Sequence, residues 1–109
     1  MFNIFAKKNY QTLSASEFVR KVQEEPGVVL DVRTPGEYAG GHLKHAKNLD
    51  LMGGQFAAAI AKLDKSKTYY LYCASGGRSG SAAGMMASNG FEHVYNVGGY
   101  MSLVAAGAK

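Results

Sequence analysis

The sequence predicts an α/β domain with a mostly parallel central sheet and helices on both faces. Short runs at residues 28–32, 68–72 and 94–97 are predicted strands, and the run at 28–32 lacks polar alternation, which is typical of a strand buried on both faces. Segments with helical composition and capping signals separate these runs. Because strands that alternate with helices pair in parallel, the functional site is expected outside the carboxyl ends of the strands.

The length and composition are those of one compact domain. The chain has 109 residues, 47% of them hydrophobic, so we predict a single domain over residues 1–109 with its core at about 12–107 and an N-terminal lead-in at 1–11. Its net charge of +4 comes from lysines scattered between acidic residues. We therefore expect a preference for small anions and no nucleic-acid partner.

The N-terminus and the cysteine content bear on location. Residues 1–6 are largely apolar and precede Lys7 and Lys8, which is the reverse of the order in a secretory signal, and they are too few to span a bilayer. The single cysteine cannot form a disulfide within the chain, so no oxidising compartment is implied. We expect a cytoplasmic protein with no membrane partner.

Capping signals at its N-terminus predict the first helix. Ser14 and Glu17 have capping-box spacing, and Leu13 and Phe18 are placed to form a hydrophobic staple. The sequence predicts a helix from this cap to about residue 25, where a Pro-Gly pair follows. The apolar strand at 28–32 comes next.

A second capping pattern follows that strand. Thr34 is the predicted cap, Pro35 takes the first helical position and Glu37 lies three residues after the cap. We expect a short helix that ends at the glycines after Tyr38. A brief strand at 46–49 and a helix at 56–63 are then predicted from composition.

The clearest strand, residues 68–72, leads directly into Cys73. A glycine-bearing loop follows, and a helix is predicted from about residue 79 to residue 89, ending at Gly90 in a left-handed cap. The last strand is predicted at 94–97, and the glycine pair after it opens a final short helix.

The surroundings of Cys73 favour a reactive thiolate. A thiol between a strand end and a helix start faces unpaired backbone N–H groups and the positive end of the helix dipole, and both lower its pKa. Gly76 and Gly77 leave room around it, and Arg78 adds a cation suited to an anionic substrate. The alternative is that Cys73 is a buried cysteine that acts only as a small hydrophobic residue.

Three motifs resemble those of the rhodanese-like domains. The loop C-A-S-G-G-R-S at 73–79 resembles the C-x-x-G-x-R-S active loop of single-domain members. The stretch from Asp31 to His42, together with Ala46 and Asn48, is similar to the upstream signature, and residues 90–99 resemble the closing strand and glycine pair. The likeness extends over residues 14–107 in the correct order, with Leu103 where many members have tryptophan.

The resemblance implies a rhodanese-like fold in which Cys73 is the catalytic, sulfur-carrying nucleophile. It implies substrate contacts from the loop, with Arg78 binding the anionic part of the donor: Ala74, Ser75, Gly76, Gly77, Arg78 and Ser79. It also implies four positions that are chiefly structural: Asp31, Arg33, Glu37 and His42. No metal and no organic cofactor is expected, and His42, His45 and His93 lack metal-ligand spacing.

The predicted function is sulfur transfer. A sulfane sulfur would pass from a small anionic donor, thiosulfate or a persulfide, through a Cys73 persulfide to cyanide, a thiol or a protein that accepts sulfur. One alternative is a non-enzymatic module that carries sulfur by docking to proteins or acts as a regulatory domain. Another is phosphoester or arsenate chemistry, which the loop disfavours because only four residues separate Cys73 from Arg78.

Overall fold

The computed structural model describes residues 10–109, and most of the predicted lead-in, including the apolar segment 1–6, lies outside them. The described strands form one five-stranded sheet in the order β1-β5-β4-β2-β3, and every pairing is parallel. The prediction of a parallel sheet is confirmed. The strands are β1 (Gln11–Thr12), β2 (Val28–Asp31), β3 (Lys47–Asn48), β4 (Thr68–Cys73) and β5 (His93–Gly99).

Helices cover both faces of this sheet, as predicted. Helices α3 and α4 pack on one face through Phe56, Ile60 and Met86, whereas α1 and α5 pack on the other through Phe18 and Leu103. The helices are α1 (Ala15–Glu24), α2 (Pro35–Ala39), α3 (Gln55–Ile60), α4 (Gly77–Ser88) and α5 (Tyr100–Ala105).

Strand β4 is buried on both faces. Tyr69, Leu71 and Cys73 point to the α3/α4 face, and Tyr70 and Tyr72 point to the α1/α5 face. This alternation follows from the two-residue period of a strand, and the absence of polar residues reflects burial on both sides. It also places the Cys73 side chain beneath the first turns of α4.

Both predicted capping boxes are present. The Ser14 hydroxyl accepts from the Glu17 amide at 3.1 Å, and the Glu17 carboxylate accepts from the Ser14 amide at 2.7 Å. Thr34 and Glu37 make the equivalent pair of contacts at the start of α2. These local signals therefore locate the starts of α1 and α2 correctly.

Several boundaries differ from the predictions. Strand β1 was not predicted because its two residues are polar and exposed, too few for any periodicity, and it is defined by pairing with β5. Helix α3 ends at Ile60, three residues before the predicted end. Helix α4 begins at Gly77 instead of residue 79, and β5 continues through the glycine pair to Gly99.

Leu103, at the position where tryptophan was noted as common, is fully buried beside Leu43 and Tyr72. At this position a leucine side chain packs in the core on the α1/α5 face of the sheet. Within residues 10–109, no helix combines the length and apolar character needed to cross a bilayer.

Candidate active site

Cys73 is the last residue of β4, directly before the loop that enters α4. Its side chain is 0% exposed, whereas Ala74, Ser75 and Gly77 above it are exposed. The sulfur therefore lies just beneath the surface at the carboxyl end of the sheet. We call residues 73–79 the Cys73 loop.

Hydrogen-bond donors surround the Cys73 sulfur. The Gly76 amide donates to Sγ at 3.0 Å, and the Ser79 amide and hydroxyl lie at 3.4 Å. Gly76 has φ of +101°, a left-handed conformation that residues with a Cβ rarely adopt. This glycine allows the loop to turn its amide toward the sulfur, as the predicted site requires.

These contacts decide the ionisation of the thiol. Burial raises the pKa of Cys73 because it disfavours the charged form, but hydrogen bonds from Ser79 and from the amides of Ser75 and Gly76 lower it more. The net result is a Cys73 pKa below its ordinary value. The thiolate is therefore stabilised, although the side chain has no exposed surface.

Asn96, on β5, fastens the Cys73 loop and was missed by the sequence analysis. Its Oδ1 accepts from the Ser79 hydroxyl at 2.7 Å and from the Gly98 amide at 3.2 Å, while its Nδ2 donates to the Gly76 carbonyl at 3.2 Å. The Ser79 hydroxyl contacts both Asn96 and the Cys73 sulfur, so Asn96 fixes the position of this hydroxyl beside the sulfur. The available signal was a lone amide side chain within the apolar run 94–97.

The glycine pair brings β5 against the Cys73 loop. The strand pairing shifts between Leu71 and Tyr72, so that Val97 is an extra residue in β5, and Gly98 follows with φ of +92°. A Cβ on Gly99 would lie 2.5 Å from the Ala74 carbonyl oxygen, which leaves no room for a side chain. The bulge and Gly99 together let the two segments approach this closely.

Arg78 points to Glu37 on α2. Its two terminal nitrogens contact the two Glu37 oxygens at 2.8 and 3.0 Å. The Arg78 contact and the bonds from Thr34 lower the pKa of Glu37 to about 2, although burial acts in the opposite direction. The structure therefore ties the Cys73 loop to α2 by an ion pair, and the predicted contact of Arg78 with substrate stays a prediction.

Asp31 and Arg33 form a second, buried ion pair. The Arg33 side chain contacts both Asp31 oxygens at 2.7–3.1 Å and also donates to the Gly41 carbonyl at 2.6 Å. Asn48 donates its side-chain amide to the main-chain carbonyls of Asp31 and Arg33. These hydrogen bonds join the end of β2 to β3 and to the segment after α2. None of them involves a residue of the Cys73 loop.

The three histidines make different local contacts. The His42 ring stacks on the Tyr38 ring with 3.6 Å between the ring centroids, and His42 Nδ1 lies 2.8 Å from the Tyr38 carbonyl oxygen. His45 lines a cavity, and His93 lies 3.8 Å from the carboxylate of Glu92. In the described part of the chain, no three His, Cys, Asp or Glu side chains are grouped as metal ligands would be.

The structure has an apolar cavity of about 350 Å³ that is separate from Cys73. It lies between α1 and the last residues of the chain, and its lining includes Phe18, Val22, Leu43 and Ala108. These side chains belong to the α1/α5 face, whereas Cys73 points to the α3/α4 face. The cavity therefore does not open onto the sulfur.

Curated sequences similar to this chain include two thiosulfate sulfurtransferases. PspE of Escherichia coli is 34% identical over 80 residues, which are 73% of this chain and 77% of that protein. GlpE of Pseudomonas aeruginosa is 33% identical over 89 residues, covering 82% of this chain and 79% of its own length. Both relatives are thus matched over most of their length.

Solved structures and a family model agree with these relatives. A rhodanese-like domain protein from Staphylococcus aureus superposes with a TM-score of 0.75 at 29% identity, covering 91% of this chain and 93% of the other. The model of the rhodanese-like domain matches residues 14–106, which confirms the resemblance of the motifs. The chain belongs to the family of rhodanese-like domains.

Proposed function

We propose that this protein is a sulfurtransferase in which Cys73 carries a sulfane sulfur as a persulfide. The observation that carries the proposal is the set of N–H donors from Gly76 and Ser79 around the Cys73 sulfur. Such donors stabilise a thiolate and the negative charge of a terminal persulfide sulfur in the same way. The names of the two thiosulfate sulfurtransferases that resemble the chain support the same chemistry.

The first step loads the cysteine. The Cys73 thiolate attacks the outer sulfur of thiosulfate, a new S–S bond forms, and the original S–S bond breaks with its electron pair leaving on sulfite. Three negative charges are present before and after the step, and no proton moves. With a persulfide donor, a thiolate leaves in place of sulfite.

The second step transfers the outer sulfur from the Cys73 persulfide to an acceptor. Cyanide or a thiolate attacks the outer sulfur of the persulfide, and the S–S bond breaks so that Cys73 recovers its thiolate. The product is thiocyanate or a new persulfide, on a small thiol or on a protein that accepts sulfur. Both exchanges balance with the donor, the acceptor and Cys73 alone.

The residues of the Cys73 loop supply position and charge. The amides of Gly76 and Ser79 hold the sulfur, Arg78 adds positive charge near the donor, and Ser79 is itself fixed by Asn96. Since Cys73 is covered, a donor reaches its sulfur only when the surrounding residues move aside. Burial keeps water from the persulfide between the two steps.

The test is the mass of the intact protein after incubation with thiosulfate and removal of small molecules. The proposal expects a gain of one sulfur atom, loss of this gain on adding cyanide, and thiocyanate as the released product. Cys73→Ser is the matched control and should gain no mass. If the wild-type protein gains no sulfur from thiosulfate or from a persulfide, the proposal is wrong.

A further inference from the structure

We propose that Glu37 sets the charge preference of the site: by pairing with Arg78 it makes the site select singly charged sulfur donors over doubly charged thiosulfate. This inference rests on the proposed sulfur transfer at Cys73. Glu37 would act through Arg78 and not by contact with the donor, so it is a positioning residue that determines specificity.

The ion pair with Glu37 occupies the terminal nitrogens of Arg78, which an oxyanion would need as hydrogen-bond donors. A guanidinium recognises a sulfonate through two parallel N–H donors. In Arg78 both terminal nitrogens already contact the Glu37 oxygens, at 2.8 and 3.0 Å. A sulfonate must therefore compete with a carboxylate for these donors.

Glu37 is also held in place by Thr34. Its Oε1 accepts from the amide and the hydroxyl of Thr34, both at 3.1 Å, within the capping box of α2. These bonds hold the carboxylate at the start of α2 independently of Arg78. The negative charge of Glu37 therefore stays near the mouth of the site when a donor arrives.

The balance of charge around Arg78 points the same way. The negative groups that act on Arg78 are the Glu37 carboxylate first, then the Cys73 thiolate and the Asp50 carboxylate. The neighbouring cation, Arg33, is neutralised by Asp31. One guanidinium thus faces three negative groups, and each further negative charge on the donor adds repulsion.

Two small donors differ in charge and transfer their outer sulfur by the same type of step. Thiosulfate carries two negative charges, and the methanethiosulfonate anion carries one. Each delivers its outer sulfur to the Cys73 thiolate, and the S–S bond breaks to release sulfite from the first and methanesulfinate from the second. The ratio of their second-order rate constants for persulfide formation also contains their intrinsic reactivities, which are the same for every variant. A change in this ratio between variant and wild type therefore reports a change in the charge preference.

The variant Glu37→Gln removes the charge and keeps the cap, because glutamine also serves at this capping-box position. We expect the thiosulfate to methanethiosulfonate ratio to rise about three- to tenfold, the range for one charge removed at a few ångströms in a partly hydrated site. Taking the ratio within each protein cancels any difference in the fraction that is active. Added salt should reduce the difference between variant and wild type.

The matched control is Glu24→Gln, an identical change at an exposed residue near the end of α1, at the other end of the sheet. Its ratio should equal that of the wild type. A ratio that stays constant or falls in Glu37→Gln would overturn the inference, since Glu37 would then be only a brace or would help Arg78 to bind thiosulfate. Absence of sulfur uptake from both donors by the wild type is a different result, which overturns this inference. The proposed function is refuted with it only if a persulfide donor also loads no sulfur.

Discussion

Two arginine–carboxylate pairs lie near the carboxyl end of the sheet, with similar contacts in different surroundings. Asp31 and Arg33 approach to 2.7 Å, with side chains that are 0% and 7% exposed. Glu37 and Arg78 approach to 2.8 Å, with side chains that are 34% and 25% exposed. Contact distance is almost the same, so the difference between the pairs is access to water.

Access to water decides what each pair can do. A buried pair cannot lose one partner without leaving an uncompensated charge in the core, so it holds the structure in one arrangement. A partly hydrated pair is screened and contributes little to stability, so either partner can be changed at small cost. The buried pair thus suits the fixing of β2, whereas the Glu37–Arg78 pair suits the adjustment of charge beside Cys73.

The largest predicted effect on stability comes from breaking the buried Asp31–Arg33 pair. Asp31→Asn leaves the Arg33 guanidinium buried without its counter-charge, and we expect a loss of about 3–5 kcal/mol in the free energy of unfolding. Urea denaturation of the variant and the wild type measures it. Glu37→Gln is the comparison, with an expected loss below about 1 kcal/mol because water screens that pair. Equal losses in the two variants would contradict the distinction drawn between the pairs.

An intermediate effect is expected from Asn96, the uncharged anchor of the Cys73 loop. Asn96→Ala removes its contacts with Ser79, Gly76 and Gly98 and leaves buried polar groups unpaired, which costs about 1–3 kcal/mol. Amide hydrogen exchange should become faster at Gly76 and Ser79 and stay unchanged in α1. Unchanged exchange at the loop would show that the Glu37–Arg78 pair holds it without Asn96.

The smallest predicted effect is the pH dependence of the stability that the Glu37–Arg78 pair contributes. The pKa of Glu37 is lowered from 4.5 to about 2, mainly by Arg78, so its contribution to stability is present above pH 4.5 and is lost as the pH falls through about 2. The difference in Tm between wild type and Glu37→Gln should therefore shrink over this interval. A difference that is constant from neutral pH to pH 2 would show that the carboxylate charge does not stabilise the fold.

Local signals predicted the elements that hold the site. The capping boxes of Ser14 and Thr34 predicted the starts of α1 and α2, and the aromatic and β-branched run before Cys73 predicted the strand that leads into it. Each of these depends on residues within a few positions of one another, where the spacing itself fixes the contact. They were enough to place Cys73 at the carboxyl end of the sheet.

Contacts between distant segments could not be predicted in this way. The pairing of Arg78 with Glu37 joins residues 41 positions apart, and the contacts of Asn96 depend on the bulge that shifts β5 against β4. Strand β1 exists only through its pairing with β5. Periodicity reports which side of an element is buried, but strand register decides which side chains meet.

The central claim is that hydrogen bonds from the Cys73 loop lower the pKa of the buried Cys73 and so favour its thiolate. Its most direct test is the pH dependence of the rate at which iodoacetamide alkylates the folded protein, compared with the same chain unfolded in urea. Because the chain has one cysteine, both profiles report that thiol alone. The amide contacts predict a midpoint at lower pH in the folded protein than in the unfolded chain, whereas a midpoint at the same or a higher pH would contradict the claim.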